Sequence, residues 1–184
     1  MNVAELLAEI KKGSTAAQKL LFNMLADNML AICYRYVKNR QDAEEIMLDG
    51  FLKFFNNIHK FNYQNDAALL GFTKKIMINE CLMFLRKKNV FTIVSETSIE
   101  DIPFPETALD NLSASEIYAL IVQLPVGYRT VFNLSVIEGM EHKEIAALLG
   151  ISTGTSKSQL SKAKSMLQKM ITQKGIVYAS QGSK

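Results

Sequence analysis

His142–Lys164 reads HKEIAALLGISTGTSKSQLSKAK, and its punctuation decides the fold of the C-terminal part of the chain. Ile145, Ala146, Leu148 and Leu149 supply the apolar stripe of a short helix. Gly150 ends that helix, because glycine enters the left-handed region without steric cost and turns the chain sharply. Ser152 is a good N-cap for a second helix, in which Leu160, Ala163, Leu167 and Met170 recur at spacings of three and four. That stripe fixes the buried face. At about 100° per residue, the opposite face carries Thr155, Ser158, Lys162 and Ser165, with Gln159 and Ser161 on its flanks. Two helices about a tight turn, the second displaying hydroxyls, an amide and lysines, form a helix-turn-helix suited to a DNA major groove. No acid follows Glu144 while six lysines do, so phosphate is the natural partner of this end.

Outward from this motif, the charge is unevenly spread. The net charge is +3, yet residues 1–88 hold thirteen Lys/Arg against nine Asp/Glu. Residues 89–128 hold six acids and no base, and residues 129–184 hold eight bases against three acids. A basic, acidic, basic chain offers two nucleic-acid surfaces rather than one. The acidic segment contains Pro103 and Pro105 and shows no sustained period, so residues 90–112 read as a flexible linker.

Helical spacing dominates on both sides of it. Val3, Leu6, Leu7 and Ile10 mark a short helix ended by Gly13. Residues 15–37 read as a second helix, bent near Asp27, with Leu20, Leu21, Met24, Leu25, Leu30, Cys33, Tyr36 and Val37 as its buried set. Asp42 and Glu45 form a capping-box pattern that opens a helix to about Ile58. Asn62–Asp66 reads as a loop, residues 67–88 as a further helix, and Ser113 with Glu116 as a second capping box. Helices over roughly 114–123, 126–138, 142–149 and 153–172 follow. The expected fold is all-α: two small helical domains, 1–89 and 113–173, joined by the linker, with a tail over 174–184.

Several classes fall away. Cys33 and Cys81 lie in apolar helical patterns without further ligands, which argues for reduced core thiols and against a disulfide framework or metal site. His59 and His142 have no carboxylate or cysteine at ligand spacing. No nucleophile elbow, P-loop or paired-carboxylate motif is present, so no enzyme activity, metal or cofactor is expected. Acids among the apolar residues at the N-terminus argue against a signal peptide, and the apolar runs are too short to span a bilayer.

Two constellations remain in the N-terminal half. The helix over 42–58 carries a core stripe of Met47, Phe51, Phe54 and Ile58 and a second stripe of Leu48, Leu52 and Phe55. Glu45, Asp49 and Asn56 lie beside the second stripe, and an acidic-rimmed apolar strip suits a partner protein; burial of both stripes by neighbouring helices is the plainer alternative. Phe61, Tyr63 and Phe72 lie near Lys74 and Lys75, with Arg86, Lys87 and Lys88 at the helix end. Aromatics interleaved with bases suit single-stranded DNA, although each ring alone reads equally as core.

The pieces LPVGYRTVFNLSVIEG, EIAALLGIS and GTSKSQLSKAK resemble the promoter-reading C-terminal domain of bacterial RNA polymerase sigma factors. RYVKNRQDAEEIMLDGFLKFF followed by GFTKKIMINECLMFLRKK is similar to the core-binding and promoter-melting domain of the same family. With no third domain between them, the chain looks like the extracytoplasmic-function (ECF) group. The resemblance spans roughly residues 18–172. It implies a transcription initiation factor whose partners are core RNA polymerase and promoter DNA, duplex and single-stranded, and it leaves room for an anti-sigma factor. It also implies a cytoplasmic location, at the nucleoid when bound to polymerase. By correspondence, Lys157, Ser158, Gln159, Ser161 and Lys162 meet the upstream (−35) element, and Thr155, on the same displayed face, joins them there. Phe61, Asn62, Tyr63, Gln64, Asn65, Phe72, Lys74 and Lys75 meet the melted downstream (−10) strand. Glu45, Leu48, Asp49, Leu52 and Asn56 dock on the polymerase clamp. Residues 89–112 reach about 80 Å when extended, enough for the roughly 70 Å of two duplex turns between the elements. Phe72 stands where the family often has Trp, and residues 62–68 lack the usual glycines. A free-standing helix-turn-helix regulator and a degenerate sigma-like interaction module are the alternative readings.

Overall fold

The computed structural model describes residues 2–88 and 112–173. All the regular structure among them is helical, as expected. The expected linker over 90–112 and tail over 174–184 lie outside the described residues, apart from Leu112. The chain divides into two compact units, Met1–Asn89 and Val90–Lys184.

The first unit begins with α1 (Val3–Lys11), whose N-cap Asn2 and Glu5 form a reciprocal capping box. Leu6, Leu7 and Ile10 are buried, and Gly13 separates α1 from α2 (Thr15–Val37). α2 runs unbroken through Asp27. Its buried residues recur in steps of four, Ala17, Leu21, Leu25, Met29 and Cys33, closing on Tyr36. Leu20 and Met24 therefore fall on the flank of this row and are 50 % and 57 % exposed, contrary to the expectation that they enter the core. α3 (Arg40–Asn56) starts one turn earlier than Asp42 predicts, because Asn39 accepts the Asp42 N–H at 2.9 Å and is the N-cap. Asp42 instead pairs with Lys88 across 3.1 Å. α3 ends at Asn56, and a single 3₁₀ turn, Ile58–Lys60, leads into an irregular stretch. α4 (Asp66–Lys87) is capped by Asn65, whose side-chain oxygen accepts the Ala68 N–H at 2.8 Å.

α2, α3 and α4 pack mutually into a three-helix core. Cys33 and Cys81 are fully buried free thiols within it. The hydrogen bond from Cys81 toward Cys33, together with burial, pushes the Cys81 thiol well above its ordinary pKa. Lys53 and Glu80 tie α3 to α4 across 2.6 Å.

The second unit starts with Leu112 in its core, then α5 (Ala114–Gln123) under the expected Ser113–Glu116 capping box. α6 (Val126–Phe132) passes into a π-helical turn, Asn133–Ile137, where a continuous α-helix was expected. Arg129 is 4 % exposed; its guanidinium donates to the Leu124 carbonyl at 2.7 Å and the Val122 carbonyl at 3.4 Å, satisfying the end of α5. α7 (His142–Leu149) ends at Gly150 with φ +70°, and α8 (Thr153–Gln173) follows. Leu120, Ile121, Leu124, Tyr128, Phe132, Ala163, Leu167 and Ile171 form the core that α5, α6 and α8 share.

Candidate nucleic-acid and protein interfaces

The hinge between α7 and α8 is built by short-range hydrogen bonds. Ser152 Oγ accepts the Thr155 N–H at 2.9 Å, the expected N-cap, and also meets Thr155 Oγ1 at 2.9 Å. His142 Nδ1 lies 2.9 Å from the hydroxyl of Ser156, which is fully buried. This bond joins the first residue of α7 to the first turn of α8 and so helps fix the angle between them. Sequence reading gave His142 no role, because a helical pattern does not reveal which residue fourteen positions away will face it.

On α8, Lys157 and Ser158 are exposed, with Thr155, Ser161 and Lys162 half-buried. Ser158 Oγ donates to the Thr155 carbonyl at 3.0 Å. Ser165, expected on the displayed face, is instead buried, at 2 % exposure. Gln159 is half-buried and leans inward: its amide atoms lie 3.4–3.6 Å from where a Cβ on Gly127 would stand. Its Oε1 is buried without a hydrogen-bond partner among the described residues.

In the first unit, five aromatic rings run from α3 to α4. Phe51 and Phe54 flank Phe55, and Phe54 leads on to Phe61 and Phe72. Phe61 and Phe72 stack with centroids 4.8 Å apart and planes 29° apart. Phe61 is only 7 % exposed, so its ring lies beneath that of Phe72 and not at the surface, contrary to the expectation from sequence. Phe72 is half-buried and keeps part of its ring at the surface. Asn62 and Gln64 are exposed. Asn65 is exposed too, but its carbonyl oxygen is engaged as the α4 N-cap, which leaves Asn62 and Gln64 as the freer amides. Tyr63 donates its hydroxyl to Asp66 at 2.6 Å, and that bond to a carboxylate raises the phenol pKa. Lys75, three residues from Phe72, shares its side of α4; Lys74, two residues away, faces nearly opposite, so the two lysines do not act beside one ring.

Along α3, Glu45, Leu48, Asp49, Leu52 and Asn56 are all exposed, with Leu48 at 51 % and Leu52 at 61 %. They form one strip on the helix face away from the core. Phe55 does not belong to it: the ring turns back onto Phe51 and Phe54. Beside the strip, Glu45, Ile46, Asp49, Glu80, Met83, Phe84 and Lys87 line a small open cleft of about 130 Å³ between α3 and α4. Among the described residues no cluster of His, Cys, Asp and Glu is arranged to hold a metal ion, and no helix is long and apolar enough to cross a membrane.

A sigma-70 region 2 model matches residues 21–90, and a sigma-70 region 4 model matches residues 114–167. The first match contains the α3 strip and the aromatic loop; the second contains α7 and α8 as far as Leu167. The chain belongs to the ECF group of bacterial RNA polymerase sigma factors. It is 26 % identical over 185 residues to the ECF RNA polymerase sigma factor SigW of Bacillus subtilis, a match covering 93 % of this chain and 97 % of that one. RNA polymerase sigma factor SigV of the same organism is 24 % identical, covering 90 % and 98 %. RNA polymerase sigma-H factor of Pseudomonas aeruginosa is 24 % identical, covering 91 % and 92 %. Among solved structures, CnrH in complex with the cytosolic domain of CnrY matches with a TM-score of 0.47 and 19 % identity, covering 91 % and 96 %. This sigma factor is thus a transcription initiation factor that directs RNA polymerase to promoters.

Proposed function

We propose that this sigma factor docks on core RNA polymerase through the exposed α3 strip and reads a promoter at two places. α8 enters the major groove of the upstream element. Lys157 neutralises phosphate, Lys162 donates to guanine acceptors, and the hydroxyls of Thr155, Ser158 and Ser161 position the helix. Gln159 makes paired hydrogen bonds to an adenine edge. The Asn62–Asn65 loop takes up the unpaired downstream strand, with Asn62 and Gln64 reading a flipped base and the Phe72 edge stacking beside it. The chain acts by binding, and the bond-making belongs to the polymerase. It works in the cytoplasm, where the polymerase works.

The observation that supports this best is the coincidence of each region match with an exposed surface of matching chemistry. Leu48 and Leu52 stand out from α3 on either side of Asp49, with Glu45 a turn before them, and no described element of their own unit covers them. A free-standing regulator has no use for such a strip.

The strip is tested by Asp49→Arg. Asp49 is exposed and outside the core, so helicity and melting temperature should be unchanged. Loss of a desolvated charge pair should weaken core-polymerase binding by about 2–5 kcal/mol. Wild-type affinity for core polymerase in the folded variant would remove α3 from the interface. Promoters for such work come from a random duplex pool enriched by polymerase carrying this sigma factor.

A further inference from the structure

α1 lies outside the matched region 2 span, which begins at residue 21. Leu6, Leu7 and Ile10 are each 3 % exposed, and they seat α1 against α2 and the 3₁₀ turn at Ile58–Lys60. At the end of α1, Lys11 is half-buried and reaches fifty positions along the chain, donating from Nζ to the Phe61 carbonyl at 2.9 Å. Phe61 is where the chain leaves the 3₁₀ turn: its N–H still bonds the Ile58 carbonyl at 3.1 Å, and its backbone is already extended, at φ −87° and ψ 120°. Its carbonyl is thus the last anchored group before the exposed loop, and the anchor comes from α1. The ring of the same residue lies under Phe72, so one ammonium holds both the root of the loop and the base of the stack.

We propose that Lys11 is a positioning residue for strand capture, a strut from α1 that sets where the Asn62–Gln64 loop and the Phe72 edge stand. This inference rests on the strand-capture function proposed for that loop. Lys11 itself does not touch DNA. It removes freedom from a loop with few other ties, so that the entropy of ordering the loop does not oppose each opening event. Lysine fits this role because its long stem crosses from α1, and its charge strengthens a hydrogen bond to a carbonyl that no described backbone donor reaches.

The test uses the full chain assembled with core polymerase, a promoter duplex recovered from the random pool, and Lys11→Met, which keeps the stem and loses the donor. Lys11→Met should bind polymerase within twofold of wild type, speed amide exchange over residues 62–64 by fivefold or more, and slow opening of the linear duplex about tenfold. Lys11→Arg, which can still donate to the carbonyl, should restore both loop protection and opening. The salt dependence of promoter binding should not change. A phosphate contact by Lys11 would instead lower the salt slope by about one, and that result overturns the strut. Unchanged loop exchange in Lys11→Met overturns it as well, and so does faster exchange with normal opening. The double variant Asn62→Ala with Gln64→Ala tests the parent reading separately. If that variant opens duplex like wild type while Lys11→Met exposes the loop, strand capture by this loop is wrong although the strut is real.

Discussion

A methyl group added at Gly50 would overlap Met77 Sδ and lie 2.9 Å from its Cε, so α3 and α4 approach over a site that admits no Cβ. Met77 is fully buried and cannot swing into solvent. Gly50→Ala gains about 0.5–1 kcal/mol in helix propensity. Overpacking costs about 1–3 kcal/mol, so the net effect should be destabilising. Urea unfolding of Gly50→Ala, Met77→Ala and the double variant should show the pair coupled, with the double variant less unstable than the sum of the two. Strict additivity would mean that the helices part easily there. Nothing in the sequence marks Gly50, because a close approach belongs to two helices and not to one. Leu20 and Met24 mislead for a related reason: α2 is apolar on two adjacent rows, and composition does not say which row the partner helices cover. Asn39 and Asp42 both suit an N-cap, and only the backbone path between Lys38 and Arg40 chooses between them. Lys38, at φ 61°, already marks the end of α2.

On the scale of the element, α8 follows its sequence closely. The Gly150 turn, the Ser152 cap and the buried Ala163 and Leu167 were all legible, because glycine chemistry, capping chemistry and the 3.6 period agree there. The inward lean of Gln159 was not, since it depends on the absence of a side chain at Gly127 on another helix. The buried Oε1 without a donor makes that resting place a poor one, so the side chain should leave it readily for a base edge. Gln159→Ala should cost little stability but lose about 1–3 kcal/mol of discrimination at one upstream position. Lys157→Ala should weaken binding evenly across sequences and lower the salt slope by roughly one unit. Competition binding of the sigma–polymerase complex to single-base promoter variants, repeated at several salt concentrations, separates the two. Equal losses on every sequence for Gln159→Ala would place that residue among the phosphate contacts instead. In the loop before α4 the sequence was a weaker guide: it marked the aromatic and amide residues but not their division of labour. Phe61 lies in the core because it stacks under Phe72, and Asn65 caps α4 because it directly precedes it. Both facts follow from the fold of the 61–65 segment rather than from any period.

On the scale of the whole molecule, the order of the parts was legible earliest. A helix with an acidic-rimmed apolar strip and an aromatic loop precede the acidic segment, and a helix-turn-helix follows it. Charge asymmetry and motif syntax give this order without any tertiary contact. The proposed function requires both units on one DNA, each with its own element, and both dependent on polymerase for placement. The most direct test is enrichment of a random duplex pool by core polymerase with and without the sigma factor, followed by sequencing and permanganate mapping of unpaired thymines in the recovered duplexes. We predict two conserved blocks about two helical turns apart, with strand opening confined to the downstream block. Asp49→Arg should abolish enrichment of both blocks. A single block, recovered equally well by the chain without polymerase and never opened, would contradict the account and make this protein a free-standing duplex binder.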